Sequence, residues 1–126
     1  MNKPTAFIIE DDARLSEILN IVLQQAGFST EIVNDGAKAQ ARLETISPTL
    51  ILLDLHLPSV PGVKLLQDIR ADSRLAHTPV IIVTADVNLA QSVKEQADHV
   101  LIKPMGISSL RAIVTRLHPD TLDTPE

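Results

Sequence analysis

The sequence predicts an α/β domain: a doubly wound, open sheet of five parallel strands with helices on both faces. Short apolar runs alternate with segments of helical periodicity along the whole chain, and the connections are long enough for the crossovers that parallel strands require. Two runs, Leu50-Ile51-Leu52-Leu53 and Val80-Ile81-Ile82-Val83, are apolar at every position, as strands covered on both faces are. By contrast, Thr30-Glu31-Ile32-Val33 alternates polar and apolar, which suits an edge strand.

Taken in order, Phe7-Ile8-Ile9 is the first strand and ends on three acids, Glu10-Asp11-Asp12. Leu15, Ile18, Leu19, Val22, Leu23 and Ala26 then recur at the spacing of one helical face, with Gly27 as a natural stop. After the edge strand, Asn34-Asp35-Gly36 turns the chain into a short helix over about 37–44, with Ala39, Leu43 and Ile46 inward. The third strand closes on Asp54. Pro58, Pro61 and Gly62 force a loop just beyond it, before a helix over about 63–72 striped by Leu65, Leu66 and Ile69. Pro79 introduces the fourth strand, which finishes on Thr84-Ala85-Asp86. The helix over about 87–96 is rich in indifferent helix formers and is expected to be the most mobile. Val100-Leu101-Ile102 forms the last strand, ending on Lys103-Pro104, and Ile107, Leu110, Val114 and Leu117 stripe the closing helix. Residues 1–118 form one domain and 119–126 a polar tail.

Composition excludes several classes of function. The chain has 126 residues, 44% hydrophobic and 21% charged, and no apolar run approaches the length of a membrane span. Nor does the start resemble a signal peptide. Without cysteine there is no disulfide, thiolate metal site or thiol nucleophile, and a cytoplasmic setting fits. A net charge of −5, scattered Lys and Arg, and 2% aromatics argue against direct nucleic-acid binding by this domain. His56, His77, His99 and His118 are too dispersed for a metal site, and the last three read as surface residues.

Parallel strands deliver Glu10, Asp11, Asp54, Thr84 and Lys103 to one rim, the edge at which open α/β sheets bind ligands. Carboxylates gathered there repel one another and need positive compensation, part of it from Lys103. Oxygen donors alone favour Mg²⁺ over Zn²⁺ for the remainder. A carboxylate beside such an ion can attack phosphorus, and Thr84 offers a hydroxyl to the product while the small Ala85 leaves an entry path.

These strand-end groups resemble those of receiver domains of two-component response regulators, close to the single-domain chemotaxis type, over residues 5–118. The resemblance implies the flavodoxin-like (β/α)5 topology with strand order 2-1-3-4-5. It implies that Asp54 accepts a phosphoryl group from a sensor histidine kinase or histidine phosphotransfer protein. Glu10, Asp11, Asp54 and the backbone carbonyl of His56 would hold Mg²⁺, and Thr84 and Lys103 would bind the phosphoryl oxygens. The protein would be no turnover enzyme, although it would take part in its own phosphorylation and dephosphorylation. An output protein or output domain would read the signal, a phosphorylation-linked dimer is allowed, and no membrane partner is expected. The family also implies a cis bond between Lys103 and Pro104, and places His56 and Asp86, a potential pair, on the path of attacking water.

Departures leave alternatives open. Val100 stands where receivers carry a switching aromatic; too small for that role, it is expected to stay buried while any signal travels through residues 86–96. This keeps alive a phosphorylation-independent protein-binding module. A haloacid dehalogenase-type phosphatase would need a second Asp where this chain has His56.

Overall fold

A computed structural model describes residues 3–122 of the protein. Its elements run β1 (Thr5–Ile9), α1 (Ala13–Gln25), β2 (Ser29–Val33), α2 (Gly36–Leu43), β3 (Leu50–Leu53), α3 (Gly62–Ala71), β4 (Val80–Thr84), α4 (Val87–Val93), β5 (His99–Ile102), α5 (Ile107–Leu117) and α6 (Pro119–Leu122). All strand pairs are parallel, in the order β2-β1-β3-β4-β5. The alternating strand β2 does lie at an edge, and the two fully apolar runs lie inside.

Period-2 alternation within the inner strands divides the core between the two faces of the sheet. Phe7, Ile9, Ile51, Leu53 and Ile82 pack against Ala39 and Leu43 of α2 and Leu65, Leu66 and Ile69 of α3. Ala6, Ile8, Leu50, Leu52 and Ile81 pack with Leu19, Val22 and Leu23 of α1 and Leu110 and Val114 of α5. Helix α1 starts where the Asp12 side chain accepts from Leu15 N at 3.1 Å. It stops before Gly27, whose φ of 97° favours a residue without Cβ.

Several expectations are corrected. Helix α4 ends at Val93 rather than near residue 96. Ile107 is 44% exposed, because it opens α5 in a first turn whose residues 107–109 are all exposed. Val100 is only partly buried, since β5 is the second edge of the sheet. His118 is no free surface residue: its side chain is 13% exposed, with the ring edge-on to Phe28, centroids 5.2 Å apart. The 119–126 tail begins with a short helix, and its residues 123–126 lie outside those described. The Lys103–Pro104 bond is cis, as expected. Among the described residues no helix is long and apolar enough to cross a membrane.

Candidate functional site

At the carboxyl ends of the strands the backbone ladder runs one residue beyond the regular pairing. Glu10 N donates to Val33 O at 3.0 Å, Asp54 N to Ile9 O at 3.0 Å, and Lys103 N to Thr84 O at 2.9 Å. The first residue after each of β1, β3 and β5 is therefore held as firmly as a strand residue, and its side chain projects at the rim.

The structure brings the expected residues together. Glu10, Asp11 and Asp54 each offer a carboxylate oxygen, and these oxygens lie within 4.8 Å of one another. Asp54 is 5% and Glu10 2% exposed, while Asp11 faces solvent. Lys103 Nζ reaches between the buried pair, 3.0 Å from Asp54 Oδ2 and 3.0 Å from Glu10 Oε1. Asp54 Oδ1 accepts from His56 N at 3.1 Å, and Glu10 Oε2 from Asp12 N at 3.1 Å. Thr84 is fully buried, its Oγ1 accepting from Asp86 N at 3.2 Å; that bond leaves the hydroxyl proton free to donate elsewhere. Ala85 beside it is exposed, consistent with an open approach.

One ammonium facing two buried carboxylates leaves the pocket short of positive charge. The clearest sign is Glu10 Oε1, which is buried and, its ion pair with Lys103 Nζ aside, has no hydrogen bond among the described residues. Burial is the main force pushing the Glu10 carboxyl up to about 7; the Lys103 and Asp12 hydrogen bonds oppose it, and the Asp54 charge adds to it. Like-charge repulsion, the cause anticipated from sequence, is the smaller effect. Burial works to lower the Lys103 pKa, but the hydrogen bonds and charges of Asp54 and Glu10 outweigh it and hold the ammonium above its usual range.

Glu10 titrates from an ordinary value of 4.5 in the unfolded chain to about 7 in the folded one, so the folded state keeps its proton longer. The resulting stabilisation is present below 4.5 and is lost as pH rises through 7. In EDTA the melting temperature should therefore fall across that window, and Glu10→Gln should flatten the decline. A profile that Glu10→Gln leaves unchanged would contradict a buried, under-compensated carboxylate.

The donor set fits a hard divalent cation: among the described residues three carboxylates converge, one with a buried oxygen that lacks a hydrogen bond, and no sulfur or imidazole nitrogen belongs to the cluster. His56 and Asp86 meet as anticipated, Nε2 to Oδ2 at 2.7 Å, tying the loop after β3 to the start of α4. Asp86 also caps α4, its Oδ1 accepting from Leu89 N at 2.9 Å. The sequence reading missed the contact between the start of α2 and the loop after β3, where Gly36 N donates to Pro58 O at 2.9 Å. Asn34-Asp35-Gly36 looked like a turn alone, and no local signal reveals what it touches.

Comparison with known proteins agrees with this geometry. Residues 6–115 match the family described as response regulator receiver domain. The DNA-binding dual master transcriptional regulator RpaA of Synechocystis is 36% identical over 117 residues, 90% of this chain and 48% of the relative. A CheY-like response regulator receiver domain from Methylobacillus flagellatus superposes with a TM-score of 0.80 at 28% identity, covering 91% of this chain and 98% of that one. The Mn(2+)-bound form of response regulator Rcp1 gives 0.78 at 25% identity, covering 98% and 97%. The chain thus spans about half the length of the RpaA relative. This corrects the expectation of no nucleic-acid partner, because a relative 36% identical to this chain is named as DNA-binding. The net charge of −5 belongs to these 126 residues, whereas RpaA is about twice as long.

Proposed function

The chain belongs to the response regulator receiver family, and from that premise we propose that Asp54 is its phosphoacceptor and that the acidic pocket binds Mg²⁺. The observation that carries this is Asp54 itself: a 5% exposed carboxylate, 3.0 Å from Lys103 Nζ, with two further acids converging on it. Glu10, Asp11, Asp54 and the backbone carbonyl of His56 would hold the ion. When bound, it supplies positive charge to the phosphoryl oxygens as they approach an already anionic site. An Asp54 oxygen attacks the phosphorus, the bond from phosphorus to the donor's leaving group breaks, and a mixed carboxylic–phosphoric anhydride forms. The Lys103 ammonium and the Thr84 hydroxyl then donate to the phosphoryl oxygens. Later attack by water on phosphorus returns the carboxylate and releases phosphate, so the protein catalyses its own reset without being a turnover enzyme. We place the domain in the cytoplasm, where ATP-charged phosphodonors reside. By likeness to RpaA, its output is control of DNA binding.

Incubation with Mg²⁺ and acetyl phosphate, followed by intact mass, tests the reading. One added phosphoryl group is expected, absent in EDTA. No adduct would favour a phosphorylation-independent binding module, and steady consumption of acetyl phosphate without an adduct a phosphatase.

The His56–Asp86 bond links the loops after β3 and β4, two residues beyond Asp54 and Thr84 respectively. Such a strap narrows the approach of water to the phosphoryl group. The double variant His56→Ala/Asp86→Ala should still take up phosphate but lose it roughly tenfold faster, the equivalent of one charge-assisted hydrogen bond. An unchanged decay rate would remove the pair from the water path.

A further inference from the structure

The backbone following Asp54 forms a loop that is closed at its base. Gly62 N donates to Leu55 O at 3.0 Å, and a Cβ on Gly62 would lie 2.3 Å from Asp54 O, so only glycine permits that approach. Base closure alone leaves the tip free. At the tip, Ser59 has a φ of 69°, and Val60 N donates across it to Pro58 O at 2.9 Å. This is the strained, positive-φ form of the γ-turn. A residue with a Cβ keeps such a conformation only where its surroundings over-determine it.

The start of α2 provides those surroundings. Gly36 N, an orphan donor of the first helical turn, is satisfied by Pro58 O at 2.9 Å. Ser59 Oγ donates to Asp35 Oδ2 at 2.5 Å, while Asp35 Oδ1 caps the helix by accepting from Lys38 N at 3.0 Å. The Ser59 and Lys38 donors hold the Asp35 carboxyl below its ordinary range, so it remains an ionised acceptor. A Cβ on Gly36 would sit 1.9 Å from the backbone oxygen of Val60. Gly36 does not have a positive φ; what demands glycine here is the close approach of two backbones. An edge-side turn and the tip of the loop after Asp54 are thus locked face to face.

We infer that Asp35 and Gly36 are positioning residues for the Asp54 site: they clamp the tip of the 55–62 loop and so fix the His56 backbone against the acidic pocket, although neither touches a reacting group. This rests on the reading that the pocket binds a divalent cation. Supporting groups that orient ligands without contacting the metal typically alter its affinity by roughly 10- to 100-fold. A helix cap acting on the fold alone would lower the melting temperature and leave the cation affinity of the folded protein unchanged.

The 126-residue wild type and its Gly36→Ala, Asp35→Ala and Asp35→Asn variants should be titrated with Mg²⁺ while following amide resonances around His56, at a temperature where each is folded. Amide exchange over residues 56–60 in EDTA supplies a metal-free readout. Gly36→Ala and Asp35→Ala are expected to bind Mg²⁺ roughly tenfold more weakly and to exchange faster. Asp35→Asn should restore both, its carbonyl capping Lys38 and its NH₂ donating to Ser59 Oγ. Should Gly36→Ala not fold, Asp35→Ala carries the test. Wild-type affinity and exchange in folded Asp35→Ala would overturn the inference while leaving the pocket's reading intact. No Mg²⁺ response from the wild type would overturn both.

Discussion

Lys103→Met should destabilise the metal-free protein by about 2 to 3 kcal/mol, and Mg²⁺ should restore much of the loss. Among the described residues its ammonium is the one cation between Glu10 and Asp54, at 3.0 Å from each, and both carboxylates are almost fully enclosed. Removing one partner of a buried pair typically costs about 3 to 5 kcal/mol, because the other charge stays buried and uncompensated. The lysine side chain retains 22% exposure, which places the expectation below that range. For a domain of this size the shift is on the order of 10 °C in melting temperature. Methionine keeps most of the aliphatic volume, so the effect reports charge rather than packing. A fall of equal size in EDTA and in Mg²⁺ would show that Lys103 acts through packing or the β5 turn, and not as the pocket's counter-charge.

The opposite sign is expected for Asp11. It is exposed yet contributes an oxygen to the same cluster, so it adds negative charge to a pocket already short of compensation. Asp11→Asn should raise metal-free stability by about 0.5 to 2 kcal/mol, the usual scale on which functional sites sacrifice stability. It should at the same time weaken Mg²⁺ binding by at least tenfold, since it deletes a proposed direct ligand. No such gain is expected for Asp54→Asn, because Asp54 is itself paired with Lys103 and accepts from His56 N, so neutralising it removes attraction along with repulsion. Equal melting temperatures for wild type and Asp11→Asn in EDTA would count against a crowded pocket.

What could be read from the sequence, and what could not, follows from the range of the interactions. Strand ends were legible because an apolar run that stops at an acid or a lysine marks both the end of burial and the start of a rim. Glu10, Asp54 and Lys103 all lie where that rule places them, and Thr84 closes β4 at the same rim. The edge position of β2 was legible from its alternation, and the interior positions of β3 and β4 from its absence. Contacts between distant segments had no such signature. His118 looked like a surface histidine because it follows the last apolar residue of the closing helix, Leu117, and opens onto a polar tail. It is covered by Phe28, and a Cβ on Gly27 would crowd its ring at 2.9 Å. Gly36 was read as a turn residue because glycine usually serves backbone freedom; here it serves close approach. The depth of Glu10 had no local signature either, since it is the ladder to Val33 that draws it under the rim.

The central claim, that Asp54 takes the phosphoryl group, is tested most directly by locating the modification. Borohydride reduces an aspartyl phosphate to homoserine, which peptide mapping can place at a single residue. After treatment with Mg²⁺ and acetyl phosphate, homoserine is expected at position 54 and nowhere else, and Asp54→Asn should yield none. Homoserine at position 11 or 12, or a modified Asp54→Asn protein, would contradict the account.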